Sequence, residues 1–420
     1  MKKFFPYFIF IIVILFLIYQ ITENRNAEKY SEYNTISANK NTESNIEFRK
    51  SLSYEKTGIT EVVFNPGNDS IKITKALVNA KGLALKEAKY YEKLEAGRIL
   101  CLLCPKECVI EEGEQGDCRA RANIDGKLYS LVFGRPVTMA LDPIEKKPFF
   151  HFFPKSSTFS IATAGCNLHC INCQNWNISQ LNPFDMRAIT AVEPEQIVEY
   201  AKKSKSDIIS YTYNEPVIYY EYVLETAKIA KKQGLKNAIV SAGYINEEPL
   251  RELCKYIDAA TIDVKGMSEN FYRSFTTAKL KPVLESLKIL KQENIWLEVS
   301  YLIITGANDS DNEIKKFVSW IKVNLGEDVP VHFLRFFPNY KLKNKPPTPE
   351  HTMIKAFNIA KSEGLKFVYI GNLDSDKTNT YCPGCGKLIA ERKGYNIKSL
   401  KISNSGTCEF CGYKINGKFR

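Results

Sequence analysis

The sequence has no internal repeat and no large excess of either charge. No segment of the 420 residues recurs at a fixed period, which excludes a solenoid. The formal net charge of +11 is a modest excess for this length, and solvated lysine-rich helix faces account for it. We therefore expect no nucleic-acid partner. The hydrophobic fraction of 44% permits a barrel-sized core together with smaller modules.

The N-terminal segment lacks the features of a cleaved signal peptide and of a lipid-modified protein. Lysines at positions 2 and 3 precede an apolar and aromatic run from Phe4 to Tyr19, which would extend about 25 Å as a helix. This length is slightly short of a hydrocarbon core of about 30 Å. No small-x-small cleavage site and no cysteine follow in Gln20–Ala27. We predict a transmembrane anchor at residues 1–22, with a signal peptide as the alternative.

Composition and pattern divide the rest of the chain into four parts. Residues 23–75 are predicted to be a flexible tether, because most of this segment is polar and shows little hydrophobic periodicity. Residues 76–150 are predicted to form a helical, cysteine-rich module, with a helix from Ala76 to Leu94. Residues 151–375 form the largest predicted domain, and residues 376–420 form a small module with four cysteines.

The largest predicted domain alternates apolar strands with amphipathic helices. The predicted strands are Thr158–Ala164, Asp207–Tyr213, Asn237–Ala242, Ala259–Lys265, Trp296–Ile304, Val331–Phe337 and Lys366–Ile370. The predicted helices are Glu193–Lys203, Val217–Lys232, Pro282–Lys291, Asn312–Asn324 and Glu350–Ser362. Nearly continuous apolar strands indicate a parallel sheet covered by helices. We predict an α/β barrel or partial barrel, with a doubly wound open sheet as the alternative. In both folds, chemistry collects at the C-terminal ends of the strands.

Eleven of the twelve cysteines fall into three groups. The groups are Cys101, Cys104, Cys108 and Cys118; Cys166, Cys170 and Cys173; and Cys382, Cys385, Cys408 and Cys411. Cys254 stands apart and has the character of a buried packing residue. Cysteines separated by two residues are poor candidates for unstrained disulfides but good ligands for one metal. The pattern indicates metal sites and a reducing compartment.

The central group has three cysteines and no fourth. Its spacing is C-x3-C-x2-C, and it comes directly after the first predicted strand of the largest domain. Three thiolates can hold three irons of a cubane cluster, which leaves the fourth iron free to bind another molecule. An electron delivered through that iron can cleave a bound sulfonium. The alternative is a zinc loop with His169 as the fourth ligand.

Several further motifs resemble those of a known family. They are Asp142-Pro-Ile-Glu-Lys-Lys-Pro148, His151-Phe-Phe-Pro154, Cys173-Gln-Asn-Trp176, Tyr211-Thr-Tyr-Asn-Glu-Pro216 and Tyr369-Ile-Gly-Asn372. Together with the cysteine loop, they resemble the AmmeMemoRadiSam-system radical S-adenosylmethionine (SAM) proteins, relatives of pyruvate formate-lyase activating enzyme. The similarity runs from about Leu85 to the C-terminus. It implies a partial (β/α)6-type barrel and a [4Fe-4S] cluster on Cys166, Cys170 and Cys173 that binds SAM.

The resemblance also implies roles for polar residues at the strand ends. The candidates for contact with SAM are Asn214, Glu215, Asp263, Lys265, Glu298 and Ser300, and His332 and Arg335 are candidates to face SAM or substrate. By resemblance, Asn214 and Glu215 would contact the amino group of SAM. Lys265 would pair with its carboxylate, and Asp263 would organise that region. Glu298 and Ser300 share one face of a strand and are candidates for the ribose hydroxyls.

These assignments have structural alternatives. Glu215 also suits the N-terminal turn of a helix, and Asp263 and Lys265 also suit an ordinary buried ion pair. Two positions depart from the family pattern. Asn172 stands where an aromatic residue usually precedes the third cysteine, and Ser241-Ala-Gly-Tyr244 lacks the usual asparagine. Both departures concern contacts with SAM or substrate, and neither affects an iron ligand.

The two outer cysteine groups are further candidate metal sites. Cys382, Cys385, Cys408 and Cys411 form C-x2-C…C-x2-C, and we predict a structural Zn2+ there, with iron as the alternative. Metal binding would supply folding energy to this small module. Cys101, Cys104, Cys108 and Cys118 are consistent with zinc, with an auxiliary iron–sulfur cluster or with disulfides, because tetrathiolate sites suit both metals.

The resulting functional hypothesis is an enzyme that forms a 5′-deoxyadenosyl radical and takes hydrogen from an unknown small-molecule or protein substrate. An electron donor such as ferredoxin or flavodoxin is implied. The alternatives are a non-catalytic metal-binding adaptor and an extracytoplasmic disulfide protein. The two N-terminal lysines favour a catalytic domain outside the cell. Reduced iron–sulfur chemistry and SAM favour the cytoplasmic side, where we expect it.

Overall fold

The computed structural model describes residues 72–186 and 190–419. The predicted anchor at residues 1–22 and nearly all of the predicted tether lie outside the described residues. Within the described ranges, no helix is both long enough and apolar enough to cross a membrane. The anchor therefore stays a prediction from the sequence.

The cysteine-rich module consists mainly of short antiparallel strands. Its elements are α1 (Lys75–Ala80), β1 (Lys86–Glu87), β2 (Tyr91–Lys93), β3 (Ile99–Cys101), β4 (Val109–Ile110), β5 (Arg121–Ile124) and β6 (Lys127–Ser130). One three-stranded sheet has the order β1-β6-β5, and a second has the order β2-β3-β4. Cys101 ends β3, and the other three cysteines of the first group lie in the loops on either side of β4.

The helix predicted over 76–94 is wrong beyond Ala80. α1 ends there because Gly82 takes a left-handed conformation with φ of 66°, which commonly terminates helices. After this glycine, Ala84 and Ala88 donate their backbone N–H groups to carbonyls at Leu131 and in β6 at 2.9 and 2.8 Å. Pairing with a neighbouring strand therefore overrides the helical pattern of the segment.

The central sheet has eight strands in linear order from β7 to β14. They are β7 (Thr138–Pro143), β8 (Ser157–Ala162), β9 (Ile208–Tyr211), β10 (Lys236–Ser241), β11 (Ala259–Val264), β12 (Trp296–Ile303), β13 (Val331–Arg335) and β14 (Val368–Gly371). β8 to β14 run parallel, and β7 pairs antiparallel with β8. The seven strands predicted from the sequence are present, whereas β7 was not predicted. Because the parallel strands share one direction, their C-terminal ends meet at one edge.

Helices cover the parallel strands. They are α2 (Trp176–Ser179), α3 (Pro194–Lys203), α4 (Tyr220–Lys232), α5 (Glu247–Cys254), α6 (Glu269–Phe271), α7 (Leu280–Gln292), α8 (Asp311–Asn324) and α9 (Glu350–Ser362). Short 3-10 turns lie at Glu95–Gly97, Ile144–Lys146, Pro183–Asp185, Pro216–Tyr219 and Asp376–Thr378, and a π-helical turn lies at Tyr272–Thr276. α3 shows why these segments are helical. Glu193 and Gln196 form a reciprocal capping box around Pro194, and Ile197 and Ala201 are buried.

The C-terminal module packs onto the segment before β8. Its strands are β15 (Thr380–Tyr381), β16 (Leu388–Lys393) and β17 (Asn396–Leu400). Arg392 donates to the carbonyl of Phe150 at 3.1 Å and stacks over the Phe150 ring at 4.0 Å. The Nδ1 atom of His151 lies 2.7 Å from the carbonyl of Asn416. His151 and Lys418 also pair through their backbones. His151 therefore has a structural role between the two parts.

Glu298 lies fully buried in the sheet, where protein donors occupy its carboxylate. It accepts hydrogen bonds from the backbone N–H groups of Phe150 and His151 at 2.8–3.0 Å and from the indole N–H of Trp296 at 3.1 Å. The Nε2 atom of His332 lies 2.7 Å away. These contacts do not fit the predicted contact of Glu298 with ribose, and they make His332 a core histidine. The alternation of side chains along the strand places Glu298 on an inward face. Its carboxylate lies in the core of the sheet rather than at the C-terminal end of the strand.

The contacts of Glu298 also determine its charge. Burial raises the pKa of Glu298, but its hydrogen bonds, first among them the one with His332, together lower it by more. The carboxylate is therefore ionised at neutral pH, and it stabilises the segment that carries the C-terminal module.

We expect Glu298→Ala to lower the free energy of unfolding by about 3–5 kcal/mol, because the substitution leaves His332 and two backbone N–H groups buried without an acceptor. Thermal unfolding under anaerobic conditions measures the effect. Glu199→Ala is the control, since Glu199 forms an exposed ion pair with Lys203 on α3. Its expected cost is at most about 0.5 kcal/mol. Equal effects of the two substitutions would show that the buried network contributes little.

Candidate active site

The three central cysteines lie in the loop between β8 and α2. Backbone hydrogen bonds hold this loop on several sides. Gly165 donates to Ile178 in α2 at 3.0 Å, and His169 and Ile171 donate to carbonyls in the π-helical turn 272–276, both at 3.0 Å. Lys341 donates to the carbonyl of Ile171 at 3.0 Å. The loop is thus fixed at the C-terminal edge of the parallel strands.

The thiols of this loop are partly buried. Burial raises the pKa of Cys166 well above its ordinary value, and the neighbouring Glu215 raises it further. Burial also raises the pKa of Cys170 to about 12, although Lys265 acts in the opposite direction. Such thiols stay protonated at neutral pH unless metal ions compensate the charge of the thiolates. This donor set therefore fits a metal cluster better than free reactive cysteines.

His169 does not complete a four-ligand zinc site. Its Nδ1 atom lies 2.9 Å from Oε1 of Gln180, and its Nε2 atom lies 3.0 Å from Oδ1 of Asp117. Both ring nitrogens are therefore engaged by protein side chains. A zinc site in this loop would therefore lack its fourth ligand.

Asn214 and Glu215 lie directly after β9, beside the cysteine loop. The Asn214 amide donates to the carbonyls of Thr163 and Gly165 at 2.8 Å each, while its Oδ1 atom is buried without a hydrogen-bond partner. Glu215 accepts from the Ser241 hydroxyl at 2.6 Å and from the Ala242 backbone N–H at 2.7 Å. An orphaned buried oxygen and a buried carboxylate suit a ligand with amino donors.

A second charged group lies after β11. Nζ of Lys265 is 3.0 Å from Oδ2 of Asp263, and the Ser300 hydroxyl donates to the other oxygen of Asp263. Burial lowers the pKa of Lys265, but Asp263 and then Cys170 raise it by more, so that the lysine is cationic. The electrostatic influence of Lys265 on both Cys170 and Glu215 shows that these groups are neighbours. The structure thus brings Asn214, Glu215, Asp263, Lys265 and Ser300 around the cysteine loop.

The two outer cysteine groups differ in spacing. Among the described residues, the ligand atoms of Cys382, Cys385, Cys408 and Cys411 all lie within 4.8 Å of one another. The thiols of the N-terminal group are more widely spaced, although all four line one cavity. They are Cys101, Cys104, Cys108 and Cys118. Cys254 is buried, as predicted. Its place on α5 lies outside the three groups.

A family model described as "Radical SAM superfamily" matches residues 160–321, which contain the cysteine loop and the strand ends around it. Residues 160–321 form a radical SAM domain. Its homology extends to the pyruvate formate-lyase activating enzymes, so that the protein is a radical SAM enzyme related to them. A second model, described as exotoxin A binding, matches residues 13–152. That match covers less than half of the chain and carries no conclusion.

Curated relatives support the assignment to the radical SAM superfamily. An uncharacterized protein of Methanocaldococcus jannaschii is 44% identical over 334 residues, which cover 79% of this chain and 99% of the relative. The 4-hydroxyphenylacetate decarboxylase activating enzyme of Clostridium scatologenes is 30% identical over 28% of this chain and 38% of its own length. The pyruvate formate-lyase 1-activating enzyme of Escherichia coli K12 is 19% identical over 49% of this chain and 89% of its own.

A solved structure gives a weaker match. A domain of pyruvate-formate lyase-activating enzyme from Bacteroides vulgatus is 16% identical, with a TM-score of 0.35. It covers 39% of this chain and 98% of that domain. No conclusion depends on this match.

Other residues of this site were not assigned a role from the sequence. Asn308 donates to the backbone carbonyls of Lys265 and Leu302 at 2.8 and 2.9 Å and accepts from Ile304 at 2.7 Å. It therefore fixes the end of β11 that carries Lys265. Asn308 lies in a loop, and no motif or period marks it in the sequence.

A buried ion pair lies beside Tyr213, the residue before Asn214. Nζ of Lys147 is 2.8 Å from Asp142 and 3.8 Å from the centre of the Tyr213 ring, and the Tyr213 hydroxyl donates to Asp142. Burial lowers the pKa of Lys147 to about 8, although Asp142 counteracts this effect. The motif 142–148 belongs to the family resemblance, which implied no role for this pair.

We expect His169→Asn to retain the iron of the central loop, because neither ring nitrogen is available to a metal. Iron and sulfide analysis with UV-visible spectra after anaerobic reconstitution measures this. Cys170→Ser is the matched loss-of-ligand variant, and it should lower the iron content. Equal iron loss in the two variants, with both folded, would restore His169 as a ligand.

Proposed function

We propose that the protein cleaves SAM reductively at a [4Fe-4S] cluster held by Cys166, Cys170 and Cys173. The observation that carries this proposal is a partly buried loop with three thiols, in which both ring nitrogens of His169 are engaged by other side chains. A cubane cluster with three protein ligands has one iron open to a further ligand. The radical SAM family implies both the cluster and SAM.

The polar residues around the loop fit the amino-acid part of SAM. Glu215 and the unpartnered Oδ1 atom of Asn214 accept from its amino group, and Lys265 donates to its carboxylate. Asp263 holds Lys265 in place, and Ser300 donates to Asp263. In this arrangement Ser300 acts through Asp263, and the ribose contact predicted for Glu298 is not retained.

Cys166, Cys170 and Cys173 would hold the cluster, which, once reduced by a donor such as ferredoxin or flavodoxin, would supply the one electron needed to cleave SAM into methionine and a 5′-deoxyadenosyl radical. Asn214 and Glu215 are buried, which limits the access of water to the amino-acid part of a bound SAM. That radical would take a hydrogen atom from a substrate, which would yield 5′-deoxyadenosine and a substrate radical.

The class of substrate is the finer part of the proposal. The names of two relatives describe activating enzymes of a decarboxylase and of a lyase, which supports a protein substrate. Direct action on a small molecule is the second candidate, since one fold serves many reactions. Membership of the AmmeMemoRadiSam system likewise stays a proposal based on the motifs quoted above.

Anaerobically reconstituted protein is expected to form 5′-deoxyadenosine from SAM in the presence of dithionite. Cys170→Ala should abolish the product, because it removes one iron ligand. Cys254→Ser is the control and should retain product formation, since Cys254 lies outside all three groups. The product is measured by liquid chromatography with mass detection. Absence of the product from protein with a fully loaded cluster would instead favour a metal-binding adaptor.

Binding of SAM tests the role of Lys265. We expect Lys265→Met to weaken SAM binding about 10- to 100-fold, because a charge-assisted hydrogen bond contributes about 1.5–3 kcal/mol. Equilibrium dialysis under anaerobic conditions gives the Kd. Lys288→Met is the control, since Lys288 lies partly exposed on α7 and pairs with Glu285. An unchanged Kd with an intact cluster would reject the contact.

We further propose that the C-terminal cysteines hold a structural zinc ion. Four sulfurs at about 2.3 Å from one ion are about 3.8 Å apart in a tetrahedron. The sulfurs of Cys382 and Cys411 lie 3.6 Å apart, and those of Cys385 and Cys408 lie 3.9 Å apart. This spacing supports a mononuclear ion.

A further inference from the structure

The cysteines of the N-terminal module surround one cavity. Its empty volume is about 370 Å³, part of which is open to solvent. The side chains that matter here are Cys101, Cys104, Cys108, Cys118, Arg121 and Asn167, all of which line it. The four cysteines are free rather than paired in disulfides. Four thiols that face one cavity are a complete donor set for a metal centre.

The spacing of these thiols differs from that of a mononuclear site. The C-terminal four cysteines show the close packing that one zinc ion requires, with all sulfurs within 4.8 Å. Among the described residues, no three thiols of the N-terminal group meet that limit. Its sulfurs are therefore more widely spaced than one tetrahedral ion requires, whereas a polynuclear cluster distributes its four thiolates over two or four irons.

The central loop provides an internal comparison. Cys166, Cys170 and Cys173 also fall outside the 4.8 Å limit among the described residues, and the radical SAM family implies a four-iron cluster there. The chain thus contains one set of cysteines with close spacing and two with wide spacing. In the spacing of its thiols, the N-terminal group therefore resembles the cluster loop and not the C-terminal site.

Positive charge lies beside the N-terminal thiols. Arg121 is 1% exposed, and its Nη1 atom lies 3.5 Å from the sulfur of Cys101. Its Nε atom is buried without a hydrogen-bond partner, and Glu221 pairs with the other end of the guanidinium. Lys106 also lines the cavity. A guanidinium group therefore lies within contact distance of one thiol of this group.

The cavity lies against the central loop. A Cβ atom at Gly165 would lie 2.5 Å from the carbonyl oxygen of Cys118, so the two backbones are in close contact. Asn167, between the first two cysteines of the loop, lines the cavity, and its amide donates to the carbonyl of Tyr244 at 2.9 Å. Its Oδ1 atom is buried without a partner. The two cysteine groups therefore share one wall.

We propose that Cys101, Cys104, Cys108 and Cys118 hold a second polynuclear iron–sulfur cluster beside the central loop. This inference goes beyond the proposed function and does not depend on the cleavage of SAM. Four thiolates complete the protein ligand set of every iron in a two-iron or four-iron cluster. No iron of this cluster would therefore be open to SAM. Its chemistry is restricted to one-electron redox change and to support of the adjoining loop.

The decisive protein is the full chain with Cys166, Cys170 and Cys173 all changed to alanine, because its central loop cannot hold a cluster. After anaerobic reconstitution with iron and sulfide, we expect about two to about four irons with equal sulfide per chain. We also expect about one zinc, from the C-terminal site. The iron should be accompanied by the visible absorption typical of iron–sulfur proteins and by an EPR signal after reduction with dithionite.

A further change of Cys104 to serine in this protein should lower the iron at least two-fold and remove the EPR signal. The same background with Cys254→Ser is the matched control and should keep both. Less than about one iron together with about two zinc ions per chain would overturn the proposal. Neither readout requires the formation of 5′-deoxyadenosine. A negative result would therefore reject the second cluster without rejecting the proposed cleavage of SAM.

A second measurement guards against misfolding of the cysteine variants. Asn167→Ala keeps all eleven grouped cysteines and removes the amide side chain that lines the cavity beside them. We expect the iron content to stay that of the wild type and the EPR signal of the N-terminal cluster to shift. An unchanged spectrum with a normal iron content would contradict the placement of the cluster next to Asn167.

Discussion

The structure depends on holding three partly buried thiols at the edge of a parallel sheet. Burial penalises the charged form of Cys166 and Cys170, so these side chains favour metal ions as partners. Backbone hydrogen bonds from His169 and Ile171 to the π-helical turn hold the loop where the strands end. π-helical segments are rare and often accompany functional sites. The same edge presents a carboxylate at Glu215 and an ammonium at Lys265, whose charges match the two ends of an amino acid.

The periodicity of the sequence was sufficient to predict the parallel sheet. Its seven strands and five of its helices are buried on regular faces, so that local pattern and tertiary packing agree. The N-terminal module shows the opposite case. The segment after Gly82 has a helical pattern, but pairing with β6 determines its conformation. Strand β7 was also missed, since an antiparallel edge strand before the first βα unit has no signal of its own.

The site could be predicted where motif and strand end coincide. Asn214, Glu215, Asp263 and Lys265 lie around the loop because each lies at or just beyond the end of a parallel strand. Ser300 lies within β12 and joins this group by donating to Asp263. Glu298 has the same alternation, yet it lies at a lower level of the sheet and is occupied by four protein donors. The alternation of side chains identifies the face of the sheet on which a residue lies, but not its distance from the C-terminal end of the strand. Asn308 could not be found from sequence, because its role depends on three backbone groups that meet only in the folded chain.

The contact between His151 and the C-terminal module bears on how the protein is made. The ring of His151 binds the carbonyl of Asn416, 265 residues later in the chain. During synthesis on a ribosome, the segment before β8 emerges long before its partner. The cysteine groups at 101–118 and 166–173 are also complete by then. The C-terminal module is therefore the last part to dock, and the iron-binding loops exist in the nascent chain while the base of the sheet still lacks this support.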